Sequence, residues 1–104
     1  MSPSATGVVD HYFSSLSARD WAGLGVVLAE GVVRVGPFGD RLDGRAAYLD
    51  FLRGTVPPDY GNDVRRVVAA PDGRAAFATV TEHLRYPEQE LHLEEAYAFE
   101  VGTD

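Results

Sequence analysis

Hydrophobic positions recur at helical spacing early in the chain. Val8, Val9, Tyr12, Phe13 and Leu16 share one face, opposite Asp10, Ser14 and Ser15. This predicts an amphipathic helix that Ser4 or Thr6 can cap. A second helix is expected from the cap Asp20, with an apolar stripe of Trp21, Leu24, Val27 and Leu28 ended by Gly31. Val32–Val35 reads as a short strand stopped by Gly36-Pro37. A third helix starts near Asp43 or Gly44, places Ala47, Tyr48, Phe51 and Leu52 on one face, and closes at Gly54. The proline-containing run from Val56 to Gly61 reads as a loop.

From there the period changes to two. Asp63–Ala70, Ala75–Tyr86 and Leu91–Val101 are predicted strands, joined by turns at Pro71–Arg74 and Pro87–Glu90. Short turns between successive strands make an antiparallel meander. Helices at the front and strands at the back define an α+β chain with its helices on one face of the sheet. The expected core sets Tyr12, Leu16, Leu24, Leu28 and Phe51 against Val80, Leu93, Tyr97 and Phe99.

Composition narrows the choice of partners. A chain of 104 residues is one domain, residues 1–104. Nine arginines and no lysine stand against sixteen acidic residues, a net charge of −7. Such a chain is repelled by a phosphate backbone or an anionic membrane surface, so neither is expected as a partner. There is no cysteine, which removes disulfides and thiolate chemistry. No apolar run approaches the roughly 20 residues of a membrane span, and no basic leader precedes an apolar one, so a cytoplasmic location is expected.

The run Val8-Val9-Asp10-His11-Tyr12-Phe13-Ser14-Ser15-Leu16-Ser17-Ala18-Arg19-Asp20-Trp21 resembles the opening of SnoaL-like, ketosteroid-isomerase-like proteins of the nuclear-transport-factor-like superfamily. The strand at Val32–Val35, the segment Leu42-Asp43-Gly44-Arg45 and the long closing strands agree with it. The resemblance implies a cone-shaped roll, with the N-terminal helices on the concave face of a curved sheet around a small-molecule pocket. It is specific for fold and not for function, since such folds host isomerases, cyclases, epoxide hydrolases and binders. Relatives are expected to carry one strand more than is found before Gly102-Thr103-Asp104. The sheet edge left by that difference, with the small residues Ala96 and Ala98 beside Glu94 and His92, leads to the expectation of a homodimer.

The resemblance also implies site residues. Tyr12 falls where ketosteroid isomerases place an oxyanion-hole tyrosine. Their general base falls on Gly36, which cannot take a proton, and their second oxyanion donor falls near Glu95 or Tyr97. An epoxide-hydrolase-like Asp–Arg–Asp set maps its first acid to Glu82 but its arginine to Val80. By the same resemblance Trp21, Phe38, Tyr48 and Phe51 line the pocket; core packing explains these aromatics as well.

Read from the residues, side chains alternate along Ala75–Tyr86, so Glu82 and His83 face opposite ways. A two- or four-residue turn around Glu88-Gln89 sets Glu82 across from Glu95; an odd turn sets His83 there instead. The first arrangement joins Val80 and Leu84 to Leu93, Tyr97 and Phe99 on one inner face. Two carboxyls in an apolar cavity cannot both ionise easily, which makes one an acid and the other a base. The plain alternative is that they are solvated strand glutamates. His83 and His92 have no spaced third ligand, so no metal site is expected.

Two functions follow as expectations. The first is cofactor-independent acid–base chemistry on a small hydrophobic carbonyl, polyketide-like or epoxide compound, carried by Glu82, Glu95 and Tyr12, with Trp21, Phe38, Tyr48, Phe51, Val80 and Tyr97 holding the molecule. The second is a non-catalytic ligand-binding or dimerisation module of the same fold.

Overall fold

Ser4 opens the first helix, α1 (Ala5–Ser17), by accepting the Gly7 amide on Oγ at 3.0 Å. The computed structural model describes residues 4–36 and 39–102. Asp20 caps α2 (Trp21–Val27) in the same way, with the Gly23 amide 2.9 Å from Oδ1. Val9, Tyr12, Phe13 and Leu16 of α1 and Leu24 of α2 are buried, as the spacing predicts.

Next come β1 (Val33–Val35) and β2 (Arg41–Asp43), which pair with each other as a separate antiparallel hairpin. The second of these strands is missing from the sequence reading, because three residues between Asp40 and Gly44 are too few to show a period. β1 also inverts the usual rule. Val33 and Val35 are 44% and 65% exposed, while Arg34 between them turns inward.

Gly44 then swings the chain into α3 (Arg45–Thr55). Its φ of +95° is open only to glycine, and its amide donates to the Val32 carbonyl at 2.7 Å. Tyr48 and Leu52 are buried and Phe51 is half-buried, but Ala47, expected on the same face, is exposed.

The main sheet has the order β3-β4-β5, with every pair antiparallel: β3 (Asp59–Ala69), β4 (Ala75–Tyr86) and β5 (Gln89–Glu100). β3 starts four residues earlier than the pattern suggests, so Asp59–Gly61 is strand rather than loop. The β4–β5 turn is the two residues Pro87-Glu88, with Tyr86 paired to Gln89. Glu82 therefore lies opposite Leu93, not Glu95. The slip is an even number of residues, so every side chain keeps its expected face and Glu95 remains a diagonal neighbour of Glu82.

Three helices thus pack on a three-stranded antiparallel sheet, with a small hairpin beside them. The core joins Tyr12, Phe13, Leu16, Leu24 and Leu28 to Val80, with Tyr97 and Phe99 packed against it. Tyr60, Ala76 and Ala78 also belong to it. Leu93 does not: it is 38% exposed.

Candidate functional site

β4 is the central strand, and its inward residues are the most sheltered in the sheet. Val80 is 1% and Glu82 7% exposed. A carboxyl at that depth needs partners. Tyr60 of β3 donates its hydroxyl to Glu82 Oε2, and Tyr97 of β5 donates to Oε1 at 2.8 Å. Both carboxyl oxygens are thus held by phenols from the two flanking strands. Asn62, two residues beyond Tyr60 and on the same face, gives its amide to the Tyr60 hydroxyl at 3.3 Å and to the Phe13 carbonyl at 3.0 Å. This ties the acid to α1.

Burial is the main force raising the Glu82 pKa, and the Glu95 carboxyl beside it raises it further. The Tyr60 and Tyr97 hydroxyls pull the other way by stabilising the charged form. The net direction is up. Tyr60 and Tyr97 are themselves pushed well above the ordinary phenol value, first by burial and then by their carboxyl neighbours. They stay protonated and serve as donors. The arrangement can hold a proton on Glu82, release it, and keep two hydroxyls aimed at whatever charge results.

A second pair lies nearer the helices. The Tyr12 and Tyr48 hydroxyls are hydrogen-bonded at 2.6 Å, both buried. Burial and their mutual contact raise the Tyr12 pKa; burial raises that of Tyr48, while the Arg34 charge opposes the shift in each. The Arg34 guanidinium carbon stands 4.9 Å from the Phe51 ring centre and 5.9 Å from that of Tyr48.

Of the residues expected from the sequence, the fold brings Glu82, Glu95 and Tyr97 into one cluster and Tyr12 and Tyr48 into another. Val80 lies beneath them in the core, and Phe51 lies under Arg34. Trp21 sits apart at the start of α2, with the Arg19 guanidinium 5.2 Å over its ring. Phe38 lies outside the described residues. A Cβ at Gly36 would meet only the Asp40 carboxylate, at 2.4 Å, a half-exposed side chain that would have to move aside.

The sequence reading missed Tyr60, Asn62 and Arg34. Tyr60, Asn62 and Val64 continue the inward period of β3, and that was the available signal; Pro57-Pro58 and Gly61 concealed it. Two open hollows flank β3, and neither is lined by Glu82, Glu95 or Tyr97. One, of about 490 Å³, is lined by Asp10, Phe13, Ser14, Ser17, Ala18, Asn62 and Val64. The other, of about 330 Å³, opens beside Tyr60 and Leu84.

The outer face of the sheet carries His83 and His92, their Nδ1 atoms 2.9 Å apart. Asp63 and Glu90 hold the two Nε2 atoms at 3.1 and 3.2 Å. Among the described residues no group of three or more metal-ligating side chains forms. Among the described residues no helix is long and apolar enough to cross a membrane.

Helices across an antiparallel sheet, with buried polar side chains between the layers, define an α+β cone of the nuclear-transport-factor-like class. The chain belongs to the SnoaL-like domain family, whose model matches residues 9–104. A candidate polyketide cyclase from Xanthomonas campestris pv. campestris shares 30% identity and a TM-score of 0.81, over 94% of this chain and 81% of that one. An epoxide hydrolase of the LEH-like kind from Mycobacterium tuberculosis superposes with a TM-score of 0.83 at 19% identity, over 94% of this chain and 73% of its own. A second M. tuberculosis protein, crystallised with estradiol-17β-hemisuccinate, gives 0.83 at 14% identity, over 98% and 85%. No curated protein matches the sequence.

Proposed function

We propose that this chain is a cofactor-independent enzyme of the SnoaL-like kind that moves a proton on a small hydrophobic carbonyl, polyketide-like or epoxide compound. The observation that carries this reading is Glu82: a buried acid with a raised pKa, both oxygens held by phenols, and Glu95 beside it. As the carboxylate, Glu82 takes a proton from the substrate or from an attacking water. As the acid it returns one. Tyr60 and Tyr97 hold the carboxyl in place, and Tyr12, with its partner Tyr48, offers a hydroxyl to a developing oxyanion. The family likeness supports the substrate class, since relatives bear the names of polyketide cyclases and epoxide hydrolases.

The test is a panel of hydrophobic ketones followed for α-deuterium uptake in D2O, with hydrophobic epoxides followed for ring opening. Turnover is expected, and Glu82→Gln should lower it about a hundred- to ten-thousand-fold, the range of a general acid–base group. Turnover unchanged in Glu82→Gln would remove Glu82 from the chemistry. Gly36, where the resemblance places a base, favours a second reading, a ligand-binding module. Ligand binding without turnover would select it.

The reading extends to a cytoplasmic homodimer joined through the outer face of the sheet. There Phe77 and Val68 are 53% and 45% exposed, alongside the small residues Ala96 and Ala98. Arg66 borders this strip on β3 and Glu94 on β5, so a two-fold partner sets opposite charges together. Light scattering at micromolar concentration is expected to give a dimer mass, and Phe77→Glu a monomer. A wild-type monomer overturns this part.

A further inference from the structure

His83 and His92 stand opposite each other on the outer face of the sheet, turned away from the Glu82 cluster. Their Nδ1 atoms are 2.9 Å apart, and each Nε2 meets a carboxylate: Asp63 for His83 at 3.1 Å, Glu90 for His92 at 3.2 Å. A carboxylate only accepts, so each Nε2 carries a proton. A neutral imidazole has one N–H, so both Nδ1 atoms present lone pairs to each other. Two lone pairs at that distance repel unless an electrophile lies between them. It is either a further proton or a metal ion.

Three features favour the metal. The first is the carboxylate behind each ring. That is the usual partner of a metal-bound histidine, because it fixes the tautomer and leaves the other nitrogen to coordinate. The second is the spacing. Two metal–nitrogen bonds of about 2.1 Å meeting at a right angle set their nitrogens about 3.0 Å apart, close to the distance found. The ring centres are 4.7 Å apart, closer than a head-on approach of the two nitrogens would leave them. The lone pairs therefore meet at an angle, as they would at a metal, and not in line. The third is charge. Asp63, Glu90 and Glu94 share this part of the face with Arg65 and Arg85, and the balance is negative.

We propose that His83 and His92 chelate one late first-row divalent ion, Cu2+, Ni2+ or Zn2+, through their Nδ1 atoms. Right-angled nitrogens suit the square-planar or tetragonal preference of Cu2+ and Ni2+, while Zn2+ needs the rings to part slightly toward a tetrahedron. Among the described residues no third protein ligand joins them, so water fills the remaining positions. Hard ions such as Mg2+ prefer oxygen and are not taken. The pair lies near the Pro87-Glu88 turn, at the other end of the strands from Phe77 and Ala98, so the strip assigned to the dimer is left free. The two rings meet only in the folded chain, so the ion ties β4 to β5 and stabilises the fold. None of this depends on the chemistry at Glu82.

The test is calorimetric titration of the untagged full chain with Ni2+, and with Mg2+ as the control. One Ni2+ per chain is expected, with no heat from Mg2+ and a melting temperature that rises as Ni2+ is added. His83→Asn and His92→Asn should each abolish the saturable heat. Asp63→Asn should weaken binding about tenfold, the effect of losing the group behind a ligating histidine. His11→Asn, which removes the third histidine of the chain, should leave binding unchanged. No saturable heat would mean that the pair shares only a proton, and the metal site would be overturned. Binding that survives in His83→Asn, or is lost in His11→Asn, overturns it as well. A measurement on the wild-type protein needs no variant to fold: Ni2+ should shift or broaden the ring NMR signals of His83 and His92 before any others, and a different first target sinks the proposal.

Discussion

Replacing Phe13 by alanine is expected to remove about 3–5 kcal/mol of folding stability, the usual cost of deleting a buried phenyl ring. Phe13 is 1% exposed and is among the largest fully buried side chains. It meets Tyr12 edge-on at 5.0 Å, Tyr97 at 5.2 Å and Phe99 at 6.0 Å. These contacts join α1 to the last strand. A domain of this size has about 5–15 kcal/mol in all, so the variant should sit near the edge of folding at 25 °C. Phe13→Leu keeps most of the volume and should lose far less. Urea unfolding of both variants measures the difference, and a loss below about 1 kcal/mol for alanine would mean that the site collapses freely. Tyr97 leans on this ring and holds Glu82 at 2.8 Å, so Phe13→Leu is also expected to weaken activity while remaining folded.

The helices and long strands were legible because each buries one clear face. Val9, Tyr12, Phe13 and Leu16 repeat at 3.6, and Ala76, Ala78, Val80 and Glu82 repeat at two. The acid fits the second series only by position, since its chemistry argues for solvent. The β1–β2 hairpin was not legible. Strands of three residues contain no period, and Arg34 reverses the expected face. Tyr60 and Asn62 were hidden by turn residues on either side, although the backbone of β3 runs straight through them.

The register of β4 and β5 shows what local reading leaves open. Pro87-Glu88 and Glu88-Gln89 are both acceptable turns, and they differ by two in the pairing they impose. Parity alone survives the choice. Either of these turns puts Glu82 inside and His83 outside; an odd turn, which the sequence left open, would reverse them. Parity does not say which residue stands opposite Glu82. The two phenols on its carboxyl come from different strands, and only the three-dimensional pairing joins them. The acid, Glu95 and Tyr97 were readable from the chain; Tyr60, which holds the other carboxyl oxygen, was not.

Glu82→Gln is expected to change how stability depends on pH. In the folded protein burial first, then the Glu95 carboxyl, raises the Glu82 pKa above its value in an unfolded chain, about 4.3. The native state then binds more protons than the unfolded one between those two values. Stability is therefore fully present below the unfolded pKa and is lost as pH rises through the folded one. Above that point the chain keeps a buried carboxylate that only the Tyr60 and Tyr97 hydroxyls compensate. Glutamine has the same shape and no charge, and the phenols can reorient to meet its amide. Its melting temperature should exceed that of wild type at neutral pH and lose the advantage in acid below the unfolded pKa. Glu95→Gln should act in the same direction and more weakly, since it removes one of the two causes and leaves burial in place. Melts of all three proteins from pH 4 to 8 check this. Parallel curves for wild type and Glu82→Gln would show that Glu82 ionises alike in the folded and unfolded chains, and the buried acid on which the proposed chemistry rests would be gone.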